Sequence, residues 1–164
     1  MKKIILFLTI ILSTFSLFAQ ENDDHAIGRF RKIVKDIPNQ FDNLKKDLLE
    51  DNTEKNYKIF SSKIEDQPYS KSAISVTETD GHLYVMRFDV LNMDNLTSRI
   101  FDGILGSYMA EINSMVKTGN YTGEDYKHEG SDFTELKDKN GNIVVQYSSN
   151  LKEHLMVFYG AKTK

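Results

Sequence analysis

Between Asp94 and Gly119 the apolar residues Leu96, Ile100, Phe101, Ile104, Leu105, Tyr108, Ile112, Met115 and Val116 recur at helical spacing. That period lays them along one side of an α-helix. Asp94 suits the N-cap, where its carboxylate accepts from orphan N–H groups. Gly119 suits the left-handed residue that ends a helix. A helix with a single apolar stripe must bury it, so the rest of the chain has to supply a matching apolar face.

Strands supply it. Tyr84, Met86, Phe88 and Val90 alternate with Val85, Arg87 and Asp89, the period of a strand with one apolar face. Ala73 to Thr79 and Leu83 to Leu91 read as a hairpin around Asp80-Gly81, a pair that tolerates the positive φ of a tight turn. Phe133 to Lys137 and Ile143 to Tyr147 read as a second hairpin around Asn140-Gly141-Asn142, with Leu155 to Tyr159 as a last strand and Tyr57 to Ile64 as an early one. Ahead of them, Phe30, Ile33, Val34, Ile37, Phe41, Leu44 and Leu48 keep helical spacing across Pro38. This predicts a helix from about Asp24 to Lys35, a kink at Asp36-Ile37-Pro38, and a second helical stretch to about Glu50.

The expected fold is α+β, a two-layer sandwich in which two amphipathic helices cover an antiparallel sheet, in the order α-β-β-β-α-β-β-β. Twice a helix precedes a group of strands, a pattern open to internal duplication, although the halves share little residue by residue. Secretion-chaperone-like and PsbP-like folds resemble this element order, and the likeness implies architecture rather than activity.

At the N-terminus Lys2 and Lys3 precede the uncharged run Ile4 to Leu17, and Ala19 offers the small residue before a cleavage point. This is the three-part pattern of a secretory signal, so residues 1–20 are expected to be removed and 21–164 to form one domain. A retained membrane anchor is the alternative, but the run is short of the roughly 20 residues that span a bilayer. The ending Leu17-Phe18-Ala19-Gln20-Glu21 resembles the signal ends of many small exported proteins of Gram-negative bacteria. The chain has no cysteine, which rules out disulfides and a thioether-linked lipid. Loss of Lys2 and Lys3 takes the net charge from −3 to about −5. That mildly acidic balance disfavours nucleic-acid and anionic-lipid binding.

No catalytic, metal or cofactor motif is legible. His25, His82, His128 and His154 lie far apart without a second ligand at helical metal spacing, and a metal site would require the pairs Asp80/His82 and His128/Glu129 to join across the fold. Ser107 lies in the helix stripe without the Gly-x-Ser-x-Gly turn of hydrolases. Gly103 and Gly106, costly in mid-helix, imply close approach to another backbone, with a hinge or shallow groove as the alternative. The most distinctive stretch is Asn120 to Asp132, read as a polar loop in which Tyr121, Tyr126 and His128 form a candidate recognition site. The alternative is that the two tyrosines anchor the loop by packing back.

The expected function is therefore a non-enzymatic binding or interaction module of the cell envelope, periplasmic first and extracellular second. Its partner is expected to be another envelope protein or a peptide. The alternatives are a small hydrolase using acids with His82 or His128, and an inhibitor or immunity-type protein.

Overall fold

The structure is a computed structural model that describes residues 26–64, 70–78, 81–90, 93–150 and 153–161. The expected signal segment (residues 1–20), His25, Asp80 and Gln67-Pro68-Tyr69 lie outside the described residues. Among the described residues the fold is α+β, with eight strands in one antiparallel sheet and two helices. No helix among the described residues is long and apolar enough to cross a membrane.

Helix α1 covers residues 26–36 and is followed by strands β1 (Lys45–Asn52), β2 (Tyr57–Ser62), β3 (Ser70–Thr77) and β4 (Gly81–Asp89). Helix α2 (Asn95–Lys117) is followed by β5 (Tyr121–His128), β6 (Ser131–Asp138), β7 (Ile143–Ser149) and β8 (Glu153–Tyr159). Each helix thus precedes four strands, where three were expected. The spatial order β1-β2-β3-β4-β8-β7-β6-β5 sets the two halves head to head, with β4 and β8 antiparallel at the centre. The topology is that of a helix-plus-four-strand unit repeated about a two-fold.

Two segments correct the sequence reading. After α1 the chain does not resume a helix toward Glu50. It makes a 3-10 turn at Ile37–Asn39, passes through Gln40 (φ 54°) and Phe41 (φ 60°), makes a second 3-10 turn at Asp42–Leu44 and enters β1. Pro38 starts the departure, and buried Asp36 holds it by accepting from the Asn39 amide at 2.9 Å and the Asn43 amide at 2.7 Å. Phe41 tolerates its left-handed backbone because its ring is fully buried edge-on to Tyr84. The second correction is at Asn120 to Asp132, where the chain forms β5 and the start of β6 rather than a loop. Glu129 (φ 49°) and Gly130 (φ 80°) form the two-residue turn between them, with both φ values positive as a primed turn requires.

α2 begins and ends as its sequence dictates. The Asp94 carboxylate accepts from the Thr97 N–H at 2.7 Å, and Gly119 adopts φ 73° after the last turn. Gly106 does not serve close packing. It is exposed, as is Gly103, and a Cβ on Gly106 would meet nothing within 4 Å.

The strand register sorts side chains into two faces. One row crosses the whole sheet through paired residues: Gly123, Leu136, Val145, Phe158, Tyr84, Ile74, Phe60 and Leu48. The five in its middle, Leu136 to Ile74, are fully buried. Both helices reach this inner face. Phe30 of α1 lies 5.3 Å from Phe158 and 5.5 Å from Tyr108 of α2, and Phe101 of α2 lies 5.3 Å from Phe88.

Candidate functional site

The outer face carries a polar cluster that spans four strands. Its row runs Glu124, Glu135, Gln146, Val157, Val85 and Ala73, each directly paired with the next. The neighbouring row runs Tyr126, Phe133, Ser148, Leu155 and Arg87. Strand alternation points both rows away from the rings that meet α1 and α2.

Glu135 is the centre. It is 6 % exposed although it lies on this face. Its Oε1 accepts from the Tyr126 hydroxyl at 2.8 Å and from the Gln146 amide at 2.8 Å, and its Oε2 lies 3.1 Å from the Lys137 ammonium. Lys137 also donates to Glu124 at 2.6 Å. Gln146 in turn accepts from the Tyr159 hydroxyl at 3.1 Å. The network thus joins side chains of β5, β6, β7 and β8. Tyr126 stacks on Phe133 with ring centroids 5.1 Å apart and planes within 4°.

Electrostatics keep this cluster charged. Burial alone would push the Glu135 carboxyl upward, but hydrogen bonds from Tyr126, Lys137 and Gln146 and the Lys137 charge outweigh it, leaving it below its ordinary value. Its hydrogen bond to Glu135 raises the Tyr126 phenol, so that hydroxyl stays a donor. Glu124 and Glu135 raise Lys137, which remains an ammonium. Both Glu135 oxygens are thereby engaged by its neighbours. Beyond the network, a cleft of about 540 Å³ lined by residues including Ile37, Asn142, Val144, Tyr159 and Gly160 opens at the end of the sheet.

The residues singled out from sequence separate. Tyr126 belongs to the cluster. Tyr121 lies on the other face of the same strand, half-buried against the core. His128 is exposed beside the β5–β6 turn, 3.7 Å from Glu129. Glu135, Gln146 and Tyr159 carry no sequence signal of their own, because only the strand register brings them together.

His82 and His154 are both tied into the fold by hydrogen bonds. His82 Nδ1 lies 2.7 Å from the Gln40 carbonyl, and the His82 carbonyl accepts from the Gly160 N–H at 2.8 Å, tying β4 to the left-handed turn and to the end of β8. Asp42 lies 4.0 Å from His82 and 2.6 Å from Lys45. Its carboxyl is lowered chiefly by the Lys45 hydrogen bond. His154 is hydrogen-bonded to Tyr147 and meets the Phe101 ring edge-on at 4.9 Å. Burial pushes it downward against the opposing charge of Asp102. Among the described residues no three acidic or histidine side chains converge as metal ligands.

Comparison with protein-family models, curated proteins and solved structures finds no match for this chain.

Proposed function

We propose that this chain is a non-enzymatic binding module of the cell envelope that recognises an envelope protein or peptide through the outer sheet face around Glu135. In this reading the molecule is a two-layer sandwich whose helices cover the inner face and leave the outer one for a partner. Residues 1–20 direct export and are removed, and the remainder works in the periplasm.

One observation carries the reading. A nearly buried carboxylate organises the hydroxyls and amides of four adjacent strands on a face that neither helix ring contacts. A fold gains little from such an arrangement for stability alone, since a buried charge must first overcome its desolvation. Its benefit is pre-organisation. Tyr126, Gln146 and Tyr159 are held in single orientations beside the apolar strip of Val157, Val85 and Leu155, so a partner loses little side-chain entropy on docking. Tyrosine beside a small apolar centre is also the composition that interfaces favour.

The test uses immobilised chain beginning at Glu21, incubated with the exported protein fraction of its own cell. Wild type is expected to retain a reproducible partner, and Glu135→Ala to lose it while keeping its far-ultraviolet circular dichroism. Equal retention by a folded Glu135→Ala protein, or no reproducible partner on wild type, contradicts the assignment. Fractionation checks the location: chain lacking the first 20 residues belongs in the soluble periplasmic fraction, and uncut chain in washed membranes refutes it.

A further inference from the structure

Among the described residues the sheet ends in two open edges, β1 and β5, and the chain treats them differently. Unpaired edges are templates for other strands, and proteins commonly blunt them with bulges and charges. β1 is blunted: its pairing with β2 shifts register between Lys45 and Leu48 and again between Leu48 and Glu50. β5 pairs with β6 through eight consecutive residues without a shift. It contains no proline, and every residue after Tyr121 is exposed. A straight ladder edge of this length is ready to accept another strand.

The sequence of β5 says which strand fits. Glu124 and Asp125 precede Tyr126, and Lys127 and His128 follow it. We propose that two copies of this chain pair antiparallel along β5, about a two-fold axis at Tyr126, to make one continuous sheet. A two-fold normal to the sheet joins inner face to inner face, so residues directly opposite must share a face. Centred on Tyr126, Asp125 of each copy faces Lys127 of the other, and Glu124 faces His128. Both kinds of pair occur twice.

Neighbouring registers fail. Centring on Glu124 or Asp125 sets two carboxylates against each other on the axis. Centring on Lys127 opposes two ammonium groups and sets Asp125 against Glu129. Of the registers centred on residues 124 to 127, only that at Tyr126 alternates charge across the junction, and it extends ladders already present. Lys127 lies 2.9 Å from Asp132 on its own β6, so the inner row reads Asp132, Lys127, then Asp125 of the second copy. On the outer face the exposed edges of two Tyr126 rings, each stacked on its own Phe133, meet at the axis. The dimer joins the two outer faces side by side. It does not depend on the recognition role assigned to the Glu135 cluster.

The experiment is light scattering and sedimentation of chain beginning at Glu21 over a concentration series. Wild type is expected to approach twice the monomer mass in a concentration-dependent manner. Asp125→Lys opposes lysines to each other and Lys127→Asp opposes aspartates, so each is expected to weaken self-association about tenfold or more. Mixed in equal amounts, the two variants are mutually complementary and dimer is expected to return. Both positions are exposed, and an unchanged far-ultraviolet circular dichroism spectrum with a cooperative melt confirms that each variant folds. A wild type that stays monomeric throughout overturns the proposal, as does dimer that persists in both single variants. Failure of the mixture to recover dimer refutes the register. Glu135→Ala, which addresses the recognition face, is expected to leave the dimer in place.

Discussion

Two glycines that look alike in the sequence have opposite roles. Gly106 is exposed in mid-helix with open space around a prospective Cβ. Gly106→Ala removes only unfolded-state entropy and is expected to raise stability by about 0.5–1 kcal/mol in denaturant titration. Gly160 is the reverse case. A Cβ there would lie 2.9 Å from the His82 carbonyl oxygen, and that oxygen is fixed because it accepts the Gly160 N–H at 2.8 Å. Gly160→Ala is expected to cost about 1–3 kcal/mol, the range for forced overpacking. Spacing cannot distinguish the two, since what surrounds a glycine is a tertiary property. The cap at Asp94, by contrast, was legible and carries a pH signature. The Thr97 N–H holds its carboxyl below the usual range, so the folded form binds its proton less readily than the unfolded chain. The advantage of wild type over Asp94→Ala is therefore expected in full above about pH 4, the unfolded value, and to fade as pH falls through the lower folded value. Equal losses at pH 7 and pH 2 would contradict the cap.

Elements were legible where one face had to be apolar and obscure where neither did. α2 and β4 pack against the core on one side, and each shows its period plainly. β1 and β5 are edge strands, exposed along nearly their whole length, so no alternation marks them. Around β1 a false signal took its place: Phe41, Leu44 and Leu48 keep helical spacing, yet Phe41 caps a 3-10 turn, Leu44 ends it and Leu48 is half-exposed. For β5 the overlooked cue was Glu129-Gly130, a turn pair placed between Tyr126 and Phe133. The outer cluster was legible only at Tyr126, because Glu135, Gln146 and Tyr159 converge through register and not through spacing. Two predictions belong to this scale. Phe30 contributes α1's ring contacts with Tyr108 and Phe158, so Phe30→Ala is expected to cost about 3–5 kcal/mol by chemical denaturation. Leu49, 62 % exposed on β1, supports little, and Leu49→Lys is expected to change stability by no more than about 0.5 kcal/mol.

The molecule as a whole depends on a single seam. Two four-stranded halves meet where seven residue pairs join β4 to β8, and the fully buried Tyr84, Met156 and Phe158 lie along it. β8 also borders β7, so removing it opens the sheet at its centre rather than at its rim. Deletion of residues 153–164 is accordingly expected to give chain that binds a hydrophobic dye and lacks a cooperative melt, whereas loss of an edge strand would trim the fold. The same placement has a consequence during synthesis. Of the eight strands, the last to leave the ribosome is the one that must sit in the middle. A nascent chain already carrying the first half holds β4 with its inner side chains waiting for a neighbour not yet translated. The centre of the sheet therefore closes only after β8 has been translated, and until then a chaperone has an unfinished sheet to guard.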